Sequence, residues 1–529
     1  MAITEGTLES SSRLNVAWLN SHPPIEATQA FNARGFSVET CADDALGEHA
    51  YLAGLAAVVF TQNPNKLRDI GDDIETHAAK ILDYGCQILA IPAPGWHKSL
   101  IESIEKTKLE TVASQNVLSF PFIRIFDEAA DWNAIASFVD KHPQGRPPND
   151  QLLIHGDSGK RERIPGLSPE RAILLQRAFG DCVKVHLKPL SGGLSGAAVF
   201  IAYPTLERTY LNSRQPLPYF VKFDNRDNVL KEYKNYRERV DPFIPFHLGP
   251  HLIDERCFLG ASDGVIVGDY VEESESLVDC AKAGRAGPAI ACLFNRTVHG
   301  WHRDATEQNG AKYPTFPDAI PAERWNLAKS LGAKTVLKDL RQYLGRANSS
   351  AMMVGPVHGD LNANNVRVRG VDAIVIDFLS QRDDGDVVFD AANLEASLLV
   401  DGFANNHLGK RASSRDVREN LKLVRRIYEE SLMNLVPPYS DPENPASWFY
   451  ECVRQIRRYA RQVECHPGQY ATALARALLK RSCKESPTDA PFTINEEYRR
   501  GAAYVVAELV LLKTFGPMSG KAKQSKVGQ

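Results

Sequence analysis

Four residues in one short stretch, His358, Asp360, Asn365 and Asp377, are of the types that phosphoryl transfer requires. That reaction asks little covalent chemistry of a protein: a carboxylate to orient an acceptor hydroxyl, and oxygen ligands that hold magnesium against phosphates. Asp360, in the turn His358-Gly359-Asp360, would supply the carboxylate, which makes Asp360 and His358 the candidate catalytic residues. Asn365 and Asp377 would hold the metal, since Mg2+ keeps several waters and takes only one or two protein carboxylates.

The elements that must position these groups follow from the same stretch. Residues 366–368 and 373–376 are β-prone runs separated by Arg369-Gly370-Val371-Asp372, a hairpin with Gly at its turn. Asn365 precedes one strand and Asp377 follows the other, so the hairpin puts both at the same end. Ile154-His155-Gly156-Asp157 repeats the tripeptide without the following asparagine or the acid-terminated strand, and reads as a decoy loop.

The pattern His-Gly-Asp-Leu-x-x-x-Asn at 358–365, followed by Ile376-Asp377-Phe378, resembles the aminoglycoside phosphotransferase and choline kinase group, whose fold is similar to that of protein kinases. Gly385-Asp386 and Asp390-Ala391-Ala392 resemble that family's downstream segment, in which the second Asp braces the loop. The resemblance covers residues 180–400 in motifs. It implies an α+β bilobal kinase-like domain with a mostly helical large lobe, ATP as donor and Mg2+ as the metal.

Upstream, Ser191-Gly192-Gly193-Leu194-Ser195-Gly196 lies between β-prone runs at 183–190 and 197–203. Gly192, Gly193 and Gly196 would let backbone amides approach phosphate oxygens with no Cβ in the way. An apolar strand at 219–223 is then interrupted by Lys222, and a helical run follows at 231–239. In the kinase-like template a strand Lys contacts phosphates and a Glu on the next helix holds it. Lys222 takes the first role and Glu232 the second, with Glu238 as the runner-up and an exposed edge-strand lysine as the bland competitor. Residues 264–273 read as the last small-lobe strand and hinge, where backbone near Gly268 and Tyr270 would meet the adenine edge.

At 529 residues the chain is too long for one core, and length alone predicts about three units. The formal net charge of −3 gives no reason to expect nucleic acid or an anionic membrane as a partner. Nine cysteines without a C-x-x-C read as reduced, mostly buried thiols. No apolar run approaches the roughly 20 residues of a membrane helix, and the expected location is cytoplasmic.

The predicted domains are an α/β unit at 1–143, a linker at 144–167, the small lobe at 168–270, the large lobe at 271–518 and a tail at 519–529. In the first, apolar runs at 14–19, 36–40, 56–60, 87–91 and 122–126 alternate with helical stretches, as in a receiver or other flavodoxin-like parallel sheet. It lacks the acidic pair after the first strand and the Asp ending the third, so it reads as a degenerate receiver-like domain for docking or self-association, with an unrelated α/β ligand-binding domain as the competing reading. In the linker, Gly156-Asp157-Ser158-Gly159-Lys160 fails the phosphate-loop pattern.

In the large lobe, His299 and His302 read as a packed helix end. Residues 322–347 read as one helix, and Arg454, Arg457, Arg458 and Arg461 as a solvated helical stripe, with a face for an anionic substrate or partner as the alternative. The combination is similar to bacterial ternary-complex-associated phosphotransferase-like proteins, which implies a signalling or defence setting. Two functions compete: transfer of the γ-phosphoryl group to an unidentified small-molecule or protein hydroxyl, and a nucleotide-binding pseudo-kinase that serves as a regulatory interaction module.

Overall fold

The computed structural model describes residues 13–61, 70–92, 100, 123–126, 131–141, 145–156, 164–190, 197–206, 218–309, 318–347, 351–404, 414–429, 432–435, 443–487 and 491–516. It divides into two compact units, Met1–Lys234 with His251–Glu272 and Asn235–Pro250 with Glu273–Gln529. The receiver-like and small-lobe sequences share one unit, and residues 235–250 belong with the large-lobe sequence.

The first unit carries two sheets. β1 (Asn15–Leu19), β2 (Ser37–Cys41), β3 (Leu55–Thr61), β4 (Gln87–Ile91) and β5 (Ile123–Ile125) form a parallel sheet in the order 2-1-3-4-5. This is the doubly wound order of flavodoxin-like domains, and near-continuous apolar strands such as Leu55–Thr61 are what burial on both faces demands. At the carboxyl ends of β1 and β3, Ser21 and Thr61 share a 2.9 Å hydroxyl contact, and Asn20 donates to Asp43 at 2.8 Å. Ser21 and Thr61 follow or end the first and third strands, and the one carboxylate in this group, Asp43, follows the second.

The second sheet joins β6 (Leu153–Gly156), β7 (Cys182–Pro189), β8 (Ala198–Leu206), β9 (Tyr219–Asn225), β10 (Phe258–Leu259) and β11 (Asp263–Asp269) in the order 10-11-9-8-7-6. β6 corrects two expectations at once. Residues 153–156 of the supposed linker and decoy loop pair in parallel with β7, because Ile154 and Gly156 have neighbours in Val185 and Leu187. Ser168 caps the helix Pro169–Ala178 by accepting from the Arg171 amide at 3.3 Å, as the Ser-Pro start requires.

The two sheets are tied through buried arginines. Arg177, wholly buried, donates to the carbonyls of Asp83 and Arg146 at 3.3 and 3.2 Å and lies 4.4 Å over the Phe258 ring. Arg13 reaches the same Arg146 carbonyl at 3.0 Å. The Asp83 carboxylate accepts from the Ala261 amide at 2.8 Å.

The second unit is mostly helical. β12 (Glu275–Ser276), β15 (Val366–Arg369) and β16 (Asp372–Val375) form one small sheet, and β13 (Thr306–Gln308), β14 (Met352–Val357) and β17 (Arg382–Asp386) another. The helix Val387–Ser397 is buried at every position, which makes it the core element. The helices Ser447–Val463 and Gln469–Cys483 pack against it, and Gln469–Cys483 also packs against Ile494–Phe515. The single helix expected over 322–347 is two, Ala322–Leu331 and Leu337–Ala347. Gly332 breaks it at φ +114°, with its amide and that of Ala333 closing back on Lys329 and Ala328. The nine cysteines are all free and eight are buried. No helix among the described residues is long and apolar enough to cross a membrane.

Burial raises the Asp83 carboxyl to about 6, against the opposing pull of the Ala261 amide and Arg177. A carboxyl so raised contributes stability that is present below the unfolded value near 4 and lost as pH rises through about 6. The displacement corresponds to about 3 kcal/mol. Asp83→Asn, which keeps an oxygen acceptor for Ala261, is therefore expected to gain thermal stability relative to the native chain as pH goes from 4 to 7. A pH-independent difference in unfolding midpoint would contradict this.

Candidate functional site

β14 delivers the chain into the turn at His358, and the turn is held by one buried carboxylate. Asp390 accepts from the amides of His358 at 2.7 Å and Gly359 at 3.0 Å. Burial pushes the Asp390 carboxyl up, while His358 and the two amides oppose that rise. Gly359 has φ +75°, and a Cβ there would stand 2.3 Å from the Ser380 carbonyl. Gly385 is equally constrained, since a Cβ would collide with Val357 at 2.0 Å. Both glycines are demanded by close approach around the loop.

His358 is completely buried. Its Nε2 stands 3.1 Å from the Ile376 carbonyl, and its Nδ1 accepts from the Asp360 amide at 3.3 Å. Both ring nitrogens are therefore engaged, Nδ1 within the turn and Nε2 at the end of the hairpin. His358 thus ties the turn to the end of the hairpin, a positioning role rather than a chemical one.

The hairpin forms in the expected register, with Val366 opposite Val375 and Arg369 opposite Asp372 around a Gly370-Val371 turn. The Ile376 amide donates to the Asn365 carbonyl at 2.9 Å, which extends the pairing to the residue before Asp377. The Asn365 side-chain nitrogen donates to the Asp360 carbonyl at 3.0 Å, so its Oδ1 is the atom able to ligate a cation. Asp377 is half-buried at φ +69°, a left-handed conformation that costs a non-glycine residue about 1 kcal/mol or more. An amide oxygen and a carboxylate at one hairpin end make a hard oxygen pair of the kind Mg2+ accepts. Among the described residues no cluster of three His, Cys, Asp or Glu offers a competing metal site.

Asp360 has amide neighbours at both oxygens. Asn362 donates to Oδ2 at 3.3 Å and Asn393 to Oδ1 at 3.5 Å. Asn393 was not singled out from sequence, although it lies three residues after Asp390 and hence on the same helical face. Its own Oδ1 accepts from Arg481 at 2.5 Å. Ser397, four residues further on, accepts from the Ala363 amide at 2.7 Å. One helix face therefore holds the loop at 358–359, 360 and 363.

The opposite side of that helix is anchored by Glu395. Arg457 donates to it twice, at 3.1 and 2.8 Å, and the Tyr470 hydroxyl adds a third bond at 2.7 Å. The expected solvated stripe is corrected here: Arg457 is 1% exposed and serves the core, while Arg454 pairs with Glu451. His302, the packed helix end, contacts the Tyr459 hydroxyl, and burial lowers its pKa to about 3.

In the first unit, Lys222 sits on β9 with Val199 of β8 and Ile266 of β11 as its neighbours, an interior strand rather than an edge. Its Nζ is 2.7 Å from Glu232 Oε2, with both side chains under one-tenth exposed. Glu238 is exposed and lies 3.7 Å from Arg239, so Glu232 is the partner. Gly268 has no room for a side chain, with the His251 carbonyl 2.7 Å from a built Cβ. The Tyr270 amide donates to the Pro218 carbonyl at 3.2 Å and its carbonyl accepts from Glu272 at 2.9 Å. Gly192, Gly193 and Gly196 lie outside the described residues.

Residues 329–481 match the family model of ternary complex associated domain 9. The matched segment contains Asp360, Asn365, Asp377, Asp390, Asn393 and Arg481. The chain is also similar to solved aminoglycoside phosphotransferases and choline kinase-like proteins. One is a thermostable mutant of aminoglycoside phosphotransferase APH(4)-Ia with AMP-PNP and hygromycin B, at 12% identity, covering 61% of this chain and 93% of that one, with a TM-score of 0.31. Another is the aminoglycoside phosphotransferase APH(3'')-Id of Streptomyces rimosus, at 20% identity, 53% and 96% coverage and a TM-score of 0.26. A choline/ethanolamine kinase family protein of Mesorhizobium loti matches at 14% identity, 62% and 88% coverage and a TM-score of 0.32. No curated protein matches.

Removing one member of a buried ion pair strands the other, at a cost of about 3–5 kcal/mol. Arg457→Ala is expected to lose stability on that scale in urea unfolding of the second unit, and Arg457→Met with Glu395→Leu to recover part of it. A loss within about 0.5 kcal/mol for the single variant would show that the pair is dispensable.

Proposed function

We propose that the chain is an ATP- and Mg2+-dependent phosphotransferase of kinase-like fold that moves the γ-phosphoryl group to a hydroxyl acceptor, in a bacterial signalling or defence setting. The observation that carries this reading is the state of Asp360. Its loop is pinned by the Asp390 carboxylate, yet among the described residues its own oxygens meet long amide contacts from Asn362 and Asn393. A carboxylate placed for structure alone is normally spent on a cation or a short bond, and one oriented by weak donors is suited to receive a proton.

In the proposed reaction the acceptor hydroxyl donates a hydrogen bond to Asp360. Its oxygen attacks the γ-phosphorus, the bond to the ADP oxygen breaks, and the proton finishes on Asp360. Asn365 and Asp377 would hold Mg2+, which when bound neutralises charge on the phosphates. Lys222, oriented by Glu232, supplies the cation for the nucleotide phosphates, with the loop containing Gly192, Gly193 and Gly196 as cover and the backbone near Gly268 and Tyr270 for the base. The receiver-like domain, lacking phospho-acceptor carboxylates, serves docking or self-association.

The test is Mg2+-dependent ATP turnover with cell extract as an acceptor source. Asp360→Ala and Asp377→Ala are each expected to lower turnover by about 100-fold or more with the fold retained. Lys222→Met is expected to weaken it as well. ATP binding without turnover, unchanged by Asp360→Ala, would replace the reading with that of a nucleotide-binding interaction module.

A further inference from the structure

Asp360 is approached through Asn393 by an unusual density of cations. Arg481 holds the Asn393 amide, and the Arg481 carbonyl accepts from Arg500 at 2.8 Å. Arg500 is 7% exposed, and its guanidinium lies 3.9 Å over the Phe492 ring. Lys484 is on the exposed segment just after the helix Gln469–Cys483, and Lys480 on its last turn. Arg499 completes the group from the helix that carries Arg500.

The carboxylates that face them do not balance them. Asp401 stands at 3.8 Å from Arg481 and at 4.0 Å from Arg499, and Glu496 at 3.9 Å from Arg499. These are loose pairs. Glu497 is committed to Arg324, which it meets at 2.8 Å through both oxygens. Arg481, Arg499 and Arg500 thus share Asp401 and Glu496, while Lys484 lies in the field of Asp360. Burial lowers Arg500 to about 10, with the nearby Arg324 and Arg481 adding to it and Asp401 and Glu496 opposing. Lys484 is lowered by burial and by Arg500, with Asp360 pulling the other way. Independently of charge, the buried Nε of Arg500 and that of Arg499 have no hydrogen-bond partner among the described residues. A buried donor left unpaired is costly, so this cluster carries polar groups that the chain itself leaves under-satisfied.

We propose that the acceptor hydroxyl belongs to an anionic alcohol, a molecule bearing a phosphate or carboxylate that Lys484, Arg481 and Arg500 receive while its hydroxyl is presented to Asp360. The proposal rests on the phosphotransferase reading for the reaction but not for the binding. Two guanidinium forks and an ammonium suit an oxyanion and repel the cationic head of a choline or an aminoglycoside. Arg481 has a second task as a positioning residue, since it orients the amide that meets Asp360.

The experiment measures binding and transfer separately on the full chain, with glycerol 3-phosphate, glycerate, glycerol and choline as probes. Calorimetric binding of glycerol 3-phosphate or glycerate is expected, weakened by added salt, with glycerol and choline silent. Phosphate against carboxylate affinity then tells which oxyanion the site prefers. Lys484→Glu, at an exposed position, is expected to weaken that binding and raise the acceptor KM by about tenfold or more while leaving the KM for ATP unchanged. Lys484→Arg should restore both. Failure of both anions to bind, binding that Lys484→Glu leaves unchanged, transfer only to glycerol or choline, or a Lys484→Glu effect confined to ATP would each overturn the proposal. Anion binding sensitive to Lys484→Glu, with no ATP turnover under any mixture, would uphold the anion site and sink the phosphotransferase reading.

Discussion

The two bonds from the Asp390 carboxylate to the amides of His358 and Gly359 are the constraint on which the rest of the second unit depends. A glycine at positive φ with a carbonyl 2.3 Å from where its Cβ would be cannot hold its shape by side-chain packing. It needs its donors fixed from outside, and a wholly buried carboxylate fixes two at once. That carboxylate is itself expensive to bury, so it must sit on an element that does not move. The helix Val387–Ser397 meets the requirement by being buried on every side, capped by Asp386 and locked at Glu395 by Arg457 and Tyr470.

This arrangement separates the energetics of holding from the chemistry of acting. Strong, charged and buried interactions fall on Asp390 and Glu395, which never meet a reactant in the proposed reaction. The weak, half-buried contacts fall on Asp360. Had Asp360 carried the short bonds, a hydroxyl acceptor would have had to displace them. The same division appears in the first unit, where Glu232 rather than the phosphates of a nucleotide fixes the Lys222 side chain in place.

What was legible in the sequence was local or tied to a motif. The hairpin around Gly370, the His-Gly-Asp turn, the Lys222 and Glu232 spacing and the five apolar strands at the amino terminus each depend on residues close along the chain. What escaped depended on distant partners. Nothing in the i, i+3, i+4 pattern of arginines says which one finds Glu395, 62 residues away, and nothing near Asn393 announces Arg481, 88 residues on. The single helix expected over 322–347 failed for another reason: a glycine inside an amphipathic run is compatible with continuation or with a left-handed cap, and only packing decides. β6 was hidden because a Pro- and Gly-rich stretch can still contribute four residues to a sheet edge.

Asp377 brings these strands together. It is a non-glycine residue in a left-handed conformation, and strain of that kind persists only where the surroundings over-determine it. They do so here from both sides. Ile376 is tied by its amide to Asn365 and by its carbonyl to His358. Phe378, which follows, is buried against the rings of Trp301, Tyr236 and His358, and its carbonyl accepts from Asn235 at 2.7 Å. With both neighbours immobilised, Asp377 has no freedom to relax, although a shift to the β region would relieve it locally. A hairpin needing only to end could have done so with glycine, which adopts that φ without the Cβ strain. Retaining a carboxylate at a strained position, beside an asparagine whose amide nitrogen is already committed, accords with the proposed role of the pair, in which the oxygen ligands are fixed before a cation arrives.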